Sequence, residues 1–163
     1  MSLNPKIKKM RRSANIGLYG SIGVALAVIL FYYISDYRFY LNASAARYLM
    51  LGGVVLAVLV VTMALLTINR KPRQLRKIDD IDQRLTEYQS MLSSIYSSCL
   101  TSNVLLCIII ALCHDNILLM FVMLTTLLLF LSYPNMYKVK ADLGLTHEQM
   151  HEIYGDAYIE SEK

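Results

Sequence analysis

Ionisable side chains are missing from four long apolar stretches of this sequence. No Asp, Glu, Lys, Arg or His occurs within residues 14–34, 49–68, 95–113 or 116–134. Proton-coupled carriers and ion pathways generally place such a group inside the membrane, because transport needs a charge that is matched or changed. The absence argues against a secondary transporter. A pore formed by an oligomer stays open as an alternative.

Cysteine is scarce, and the motifs of several chemistries are lacking. Cys99, Cys107 and Cys113 lie in or beside one apolar stretch without paired spacing, so neither a disulfide framework nor a metal knuckle is indicated. There is no glycine-rich phosphate loop and no nucleophilic serine elbow. The basic clusters also lack the interleaved aromatic residues of nucleic-acid binding. We therefore expect no cofactor and no nucleic-acid partner.

What is present is apolar sequence, which makes up 56% of the 163 residues. Each of the four stretches is about as long as a helix that crosses a ~30 Å hydrocarbon layer at ~1.5 Å per residue. The sequence thus predicts an all-α integral membrane protein with four transmembrane helices, at 14–34, 49–68, 95–113 and 116–134. Too little chain remains for a separate soluble domain.

The lysines and arginines predict an orientation. Fourteen of the sixteen fall in the two tails and the central connection, and only Arg38 and Arg47 fall elsewhere. By the positive-inside bias, both tails and the connection are cytoplasmic. In a bacterium the membrane would be the inner (plasma) membrane. The connecting segments are then a basic tail at 1–13, an outer loop at 35–48, a cytoplasmic connection at 69–94, a tight outer turn at 114–115 and an acidic tail at 135–163.

Small residues predict how the spans pack. Gly17 and Ser21 repeat at helical spacing in the first span, and Gly53, Ala57 and Ala64 share one face of the second. Small side chains let helices approach closely. We expect two antiparallel hairpins, the first packed through these faces. A homodimer seam has the same signature and stays open.

Polar and aromatic residues of the spans have structural interpretations. Asn103 is predicted to hydrogen-bond to a neighbouring helix. Tyrosines near the span ends are predicted to form aromatic belts at the headgroup level. At the outer side these are Tyr32, Tyr33, Tyr37, Tyr40 and Tyr48, and at the inner side Tyr96, Tyr133 and Tyr137.

The central connection carries a heptad pattern, which predicts an amphipathic stalk helix running without interruption from about residue 75 to 113 into the third span. We interpret its apolar seam as an interaction surface for a protein partner or a second copy. The pattern covers about three repeats, so the seam can equally be buried within the chain. The seam residues are Ile78, Ile81, Leu85, Tyr88, Leu92 and Ile95.

Two basic clusters flank the predicted cytoplasmic surface of the membrane. Each Lys or Arg close to an anionic leaflet contributes roughly 1 kcal/mol of attraction, so lipid headgroups are the expected ligands. The alternative is that the clusters only fix topology. The residues are Lys8, Lys9, Arg11, Arg12, Arg70, Lys71, Arg73, Arg76 and Lys77.

The acidic tail contains a predicted helix start. Thr146 and Gln149 have the spacing of a capping box, and Leu145 and Met150 are placed to form a hydrophobic staple. An amphipathic face follows, and Gly155 is expected to end or interrupt it. We expect this helix to pack against the basic connection or against a partner's basic surface. The residues of the face are Met150, Ile153, Tyr154, Ala157 and Tyr158.

Residues 147–151 have the H-E-x-x-H spacing of zinc metalloproteases, in which two histidines bind the metal and the glutamate activates water. A third protein ligand is required, and no chain remains for the sheet and cleft that such enzymes use. The favoured interpretation is a solvated helix face. No metal site is predicted, with His147 and His151 as weak candidates.

The function predicted from sequence is non-enzymatic: a small multi-pass accessory or scaffold protein that assembles through its stalk and tail. A membrane-associated zinc-dependent hydrolase and an oligomeric channel or transporter are the alternatives. The expected partners are the anionic leaflet and a protein or a second copy of the chain.

Overall fold

The computed structural model describes residues 4–34, 41–113 and 117–155, and within these ranges all regular secondary structure is helical. The all-α prediction is therefore confirmed. Six helices follow one another: α1 (Pro5–Ile34), α2 (Ala43–Leu75), α3 (Ile81–Cys113), α4 (Ile117–Leu131), α5 (Met136–Leu143) and α6 (His147–Tyr154).

Three of these helices, α1, α2 and α3, are long and apolar enough to span a membrane. The fourth candidate is a bent pair, α4 and α5, whose axes differ by 80°. With 15 residues, α4 alone is about 22 Å long, less than the ~30 Å hydrocarbon layer. The bend follows from Pro134, which disfavours helical geometry in the residue before it. Residues 4–34, 41–113 and 117–155 thus contain three membrane-spanning candidates, or four if the bent pair is one span.

The helices extend beyond the predicted spans. The predicted basic tail is part of α1, which begins at Pro5, a residue well suited to the first helical position. Helix α2 begins at Ala43, within the predicted outer loop, and continues through Pro72 to Leu75. Residues 35–40 of that loop and the predicted turn at 114–115 lie outside the described residues.

The predicted stalk helix starts later than expected, because α3 begins at Ile81 and not near residue 75. Residues 76–80 form a turn, and Asp80 starts the new helix. Its backbone carbonyl accepts the N–H of Arg84, and its carboxylate accepts the N–H of Asp82 at 2.9 Å. From Ile81 to Cys113 the helix is unbroken, so the predicted continuity of stalk and apolar segment is confirmed.

Helix α3 is the centre of the molecule and packs against α1, α2 and α4, whereas α1 and α2 share almost no contacts. The predicted packing of the first two spans through their small faces is therefore wrong. Gly17 lies against the ring of Tyr96 on α3, and Gly53 lies against Leu118 on α4. These two glycines therefore make room for large side chains of α3 and α4. They do not bring the backbones of α1 and α2 close to each other.

Asn103 makes the predicted interhelical hydrogen bonds. Its Oδ1 accepts from Thr125 Oγ1, and its Nδ2 donates to Thr126 Oγ1 at 3.5 Å. Both threonines belong to α4, so the amide joins α3 to α4 at a buried position. This pairing satisfies a polar group that would be costly to leave alone in an apolar layer.

The tyrosines have two different environments. Tyr48 and Tyr137 are exposed. Tyr96, predicted for the inner belt, is instead buried, and its hydroxyl donates to the carbonyl of Leu129 at 2.9 Å. Tyr133 is half-buried and donates to Asn15 Oδ1 at 3.0 Å. The side chains of Tyr32, Tyr33, Tyr37 and Tyr40 lie outside the described residues.

The tail folds into α5 and α6 instead of extending into solvent. Gly144 adopts a left-handed conformation (φ 62°) and ends α5. The predicted capping box of Thr146 and Gln149 is present at the start of α6. Gly155, with φ 58°, ends α6 as predicted. Ala157 and Tyr158 lie outside the described residues.

The start of α1, the start of α3, α5 and α6 come together at one end of the molecule. We call this end the head, formed by residues 5–15, 81–95, 136–143 and 147–154. Its interior belongs to the larger of two hydrophobic cores; the second lies between α2, α3 and α4. Buried members in the head include Ile7, Met10, Leu85, Tyr88, Leu143 and Met150.

Candidate functional site

The predicted stalk seam lies inside the head. Leu85, Tyr88, Leu92 and Ile95 are buried, and Ile78 and Ile81 pack half-buried against the same core. The side chains that cover them belong to this chain, as in the second interpretation of the heptad. The buried face of α3 is also wider than a coiled-coil seam. It additionally includes Arg84, Met91, Tyr96 and Cys99.

Two arginines hold the connection against the carboxyl end of α5. Arg84 is buried, and it donates from Nη1 to the carbonyl of Leu143 at 3.1 Å and from Nε to that of Ile78 at 2.9 Å. Arg76 donates from Nε to the carbonyl of Asp142 at 3.1 Å. The last carbonyls of a helix have no partner within the helix and carry partial negative charge. The guanidinium groups of Arg76 and Arg84 donate hydrogen bonds to these last carbonyls of α5.

A short polar network continues from this end of α5. The hydroxyl of Tyr88 donates to Asp142 Oδ2 at 2.7 Å, and Lys138 Nζ lies 3.6 Å from the same oxygen. Burial, and then the hydrogen bond to the Asp142 carboxylate, raise the pKa of Tyr88 well above its usual range. Tyr88 therefore remains protonated and acts as a donor that ties α3 to α5.

The amino-terminal turn of α1 is bound to α6 and α3. The N–H of Asn4 donates to the carbonyl of Ile153 at 3.2 Å, and the Arg11 guanidinium lies 5.9 Å from the centre of the Tyr154 ring. Lys6 pairs with Asp82 at 2.9 Å. Burial raises the pKa of Tyr154 to about 12, although Arg11 opposes this. Both described ends of the chain are thus fixed in the head.

The nine predicted lipid-contacting residues divide into two groups. Arg11 stacks on Tyr154 and is half-buried, and Arg76 binds the end of α5. These two residues therefore have structural contacts within the chain. The other seven are exposed on the first turns of α1 and the last turns of α2 or just after them: Lys8, Lys9, Arg12, Arg70, Lys71, Arg73 and Lys77.

The outer face of α6 presents the H-E-x-x-H motif to solvent. His147, Glu148, His151 and Glu152 are exposed, while Met150 faces the core. Within residues 4–34, 41–113 and 117–155, no group of three or more His, Cys, Asp or Glu side chains could hold a metal ion. The described arrangement offers two imidazoles one turn apart on an eight-residue helix, with carboxylates on either side.

A groove of about 360 Å³ between α2 and α3 is a feature that sequence reasoning missed. Its wall includes apolar Leu59, Met63 and Ile95, and its lining also contains Lys71, Ser94 and Ser98. The serines at i and i+4 share one face of α3, which is a weak sequence signal. The pairing of this face with Lys71 depends on how α2 packs on α3.

The chain matches no protein-family model, no curated protein and no solved structure. Its structural class therefore follows from its fold alone. The part of the chain that the structure describes is all-helical, with three helices long and apolar enough to span a membrane, or four if the bent pair is one span, and with a folded head at one end.

Proposed function

We propose that this protein is a non-enzymatic accessory or scaffold protein of a membrane, with four spans and with the head and both termini in the cytoplasm. The observation that carries the proposal is the construction of the head. Most of its large apolar side chains are packed inward, and its outer surface carries charges of both signs. Such a surface suits docking to other charged surfaces.

The basic residues support the orientation. Seven exposed lysines and arginines lie on α1 and at the end of α2, close to where apolar helix gives way to the head. The positive-inside bias favours the cytoplasmic side for such residues. There they face the anionic leaflet, where each contributes roughly 1 kcal/mol of attraction.

The acidic face of α6 is the proposed site for a protein partner. Glu148 and Glu152 lie one turn apart and are exposed, and the opposite side of the helix is anchored by Met150, Ile153 and Tyr154. A partner with a basic surface can bind this face without disturbing the core. In this proposal the stalk seam does not contact the partner, because its side chains form part of the core of the head.

Purification from the native membrane in mild detergent tests the proposal. A stoichiometric second protein, identified from the mass of the complex and its composition, is the expected result. In the double variant Glu148→Lys/Glu152→Lys, the partner should be lost while the protein stays folded in the membrane. Glu87→Lys is the matched control, because Glu87 is an exposed glutamate on α3; this variant should keep the partner.

Two outcomes would contradict the proposal. Recovery of the chain alone, or only as a homo-oligomer, would remove the accessory role. Retention of the partner in the double variant would remove the α6 face as its docking site.

A further inference from the structure

The groove between α2 and α3 has the length of one membrane leaflet. Its lining on α2 runs from Leu59 to Lys71, which is about 18 Å at ~1.5 Å per residue. Half of the ~30 Å hydrocarbon layer is about 15 Å. The groove follows the helix axis of α2, so it runs along the direction in which a lipid chain lies.

The groove changes from apolar to polar along this length. Leu59 and Met63 are 57% and 64% exposed at its mouth, while Ala64 and Cys99 are nearly fully buried at its base. Such apolar surface is suited to an acyl chain. The small side chain of Ala64 leaves the space between the two helices open.

Lys71 and Ser94 lie toward the polar end of the groove, and Ser98 lies one turn further along α3, beyond Ile95. Lys71 is exposed on the last turns of α2, beside Arg70 and Arg73, and Ser94 and Ser98 project from α3 one turn apart. Hydroxyl groups next to an apolar layer need hydrogen-bond partners. A phosphate group accepts hydrogen bonds from hydroxyl groups and from a lysine ammonium group, and its negative charge complements that of Lys71.

We propose that this groove binds one glycerophospholipid with an anionic headgroup. Lys71 and Ser94 bind the phosphate, and Leu59, Met63 and Ile95 contact an acyl chain, which passes Ser98. This goes beyond the diffuse attraction between the basic clusters and a leaflet, because a single lipid is held at a defined place. It does not depend on the protein partner proposed for α6.

Native mass spectrometry of the full chain tests the site. The protein is released from mild detergent after incubation with equal amounts of phosphatidylglycerol and phosphatidylcholine. One retained phosphatidylglycerol per chain is expected, in excess over phosphatidylcholine. Lys71→Gln should lower the retention of phosphatidylglycerol about five-fold. Lys77→Gln is the matched control, an exposed lysine of the same basic stretch that does not line the groove, and it should leave retention unchanged.

A second pair of variants tests the apolar part. Ser98→Leu should fill the groove and reduce the retention of both lipids. Ser97→Leu adds the same side chain to the neighbouring exposed serine, which lines a different cleft, between α1 and α3, and it should have no effect. Thermal melting by circular dichroism shows whether each variant is folded. If Ser98→Leu is not folded, the comparison between Lys71→Gln and Lys77→Gln decides.

Three results would overturn the inference. Equal loss in Lys71→Gln and Lys77→Gln would indicate diffuse charge attraction alone. Undiminished retention in a folded Ser98→Leu would show that lipid binds elsewhere. A protein that co-purifies and excludes lipid from the groove would identify a different occupant.

Discussion

The hydroxyl groups of two buried tyrosines of the head, Tyr88 and Tyr154, have different surroundings. The hydroxyl of Tyr88 donates to Asp142, whereas the hydroxyl of Tyr154 is buried with no hydrogen-bond partner among the described residues. A hydrogen bond to a charged group contributes about 1.5–3 kcal/mol, and a buried polar group without a partner costs about 1–3 kcal/mol. The same substitution should therefore have opposite effects at these positions.

Tyr88→Phe should destabilise the head by about 1.5–3 kcal/mol, because Asp142 loses its donor. Tyr154→Phe should leave stability unchanged or raise it by about 1 kcal/mol, since it removes the unpaired hydroxyl and keeps the ring beneath Arg11. The measurement is the rate of limited proteolysis of the head in detergent, together with thermal melting by circular dichroism. Equal destabilisation by both variants would contradict this account.

At the scale of elements, α3 is the helix on which the others are assembled, and close approach to it depends on glycine at specific positions. A Cβ atom at Gly17 would lie 2.6 Å from Cδ1 and 2.9 Å from Cβ of Tyr96. Real side chains do not approach so closely, so α1 and α3 would have to move apart. At Gly23, on the same helix, a Cβ atom would meet nothing within 4 Å.

Gly17→Ala should accordingly destabilise the protein by about 1–3 kcal/mol through overpacking. Gly23→Ala should be neutral or stabilising by up to about 1 kcal/mol, because alanine favours the helix. At Gly53 of α2 a Cβ atom would lie 2.9 Å from the terminal Cδ1 methyl group of Leu118, which can shift, so Gly53→Ala should cost less than Gly17→Ala. At Gly52 a Cβ atom would meet nothing within 4 Å, and Gly52→Ala is the control. Thermal melting in one detergent compares all four variants. A Gly17→Ala protein as stable as Gly23→Ala would contradict the packing of α1 on α3.

At the scale of the whole molecule, the head joins segments from both ends of the chain to its middle. Leu143 on α5 accepts from Arg84 on α3, and Ile153 on α6 accepts from Asn4 before α1. The head is therefore expected to lose its packing as a unit when one of its helices is removed. A charge at a seam position, such as Leu85→Asp, should unfold the head and not merely detach a partner.

Deleting residues 146–163 should expose the start of α3 to protease, because α6 supplies Met150, Ile153 and Tyr154 to the shared core. Trypsin is the probe. Arg84 is 8% exposed in the intact head, so cleavage after this residue should appear only in the truncated protein. Cleavage after the exposed Lys77 should occur in both and serves as the internal control. An identical cleavage pattern would show that α6 does not protect the stalk.

The sequence by itself determined the features that depend on neighbouring residues or on helical period. These are the helical class, the apolar segments, the continuity of the stalk with the third apolar segment up to Cys113, the capping box at Thr146 and the end of α6 at Gly155. Proline, glycine and capping residues act within one or two turns, so their effects can be read locally.

The tertiary structure decided which faces meet. The heptad seam, the small residues of α1 and α2, and Tyr96 all have patterns that several partners would satisfy. Tyr96 became a core residue because Gly17 leaves space for its ring and the carbonyl of Leu129 accepts its hydroxyl. The groove between α2 and α3 likewise exists only because Lys71 and Ser98, 27 positions apart in the chain, line the same space. Contacts between distant residues depend on the fit of whole surfaces, which periodicity along one helix does not specify.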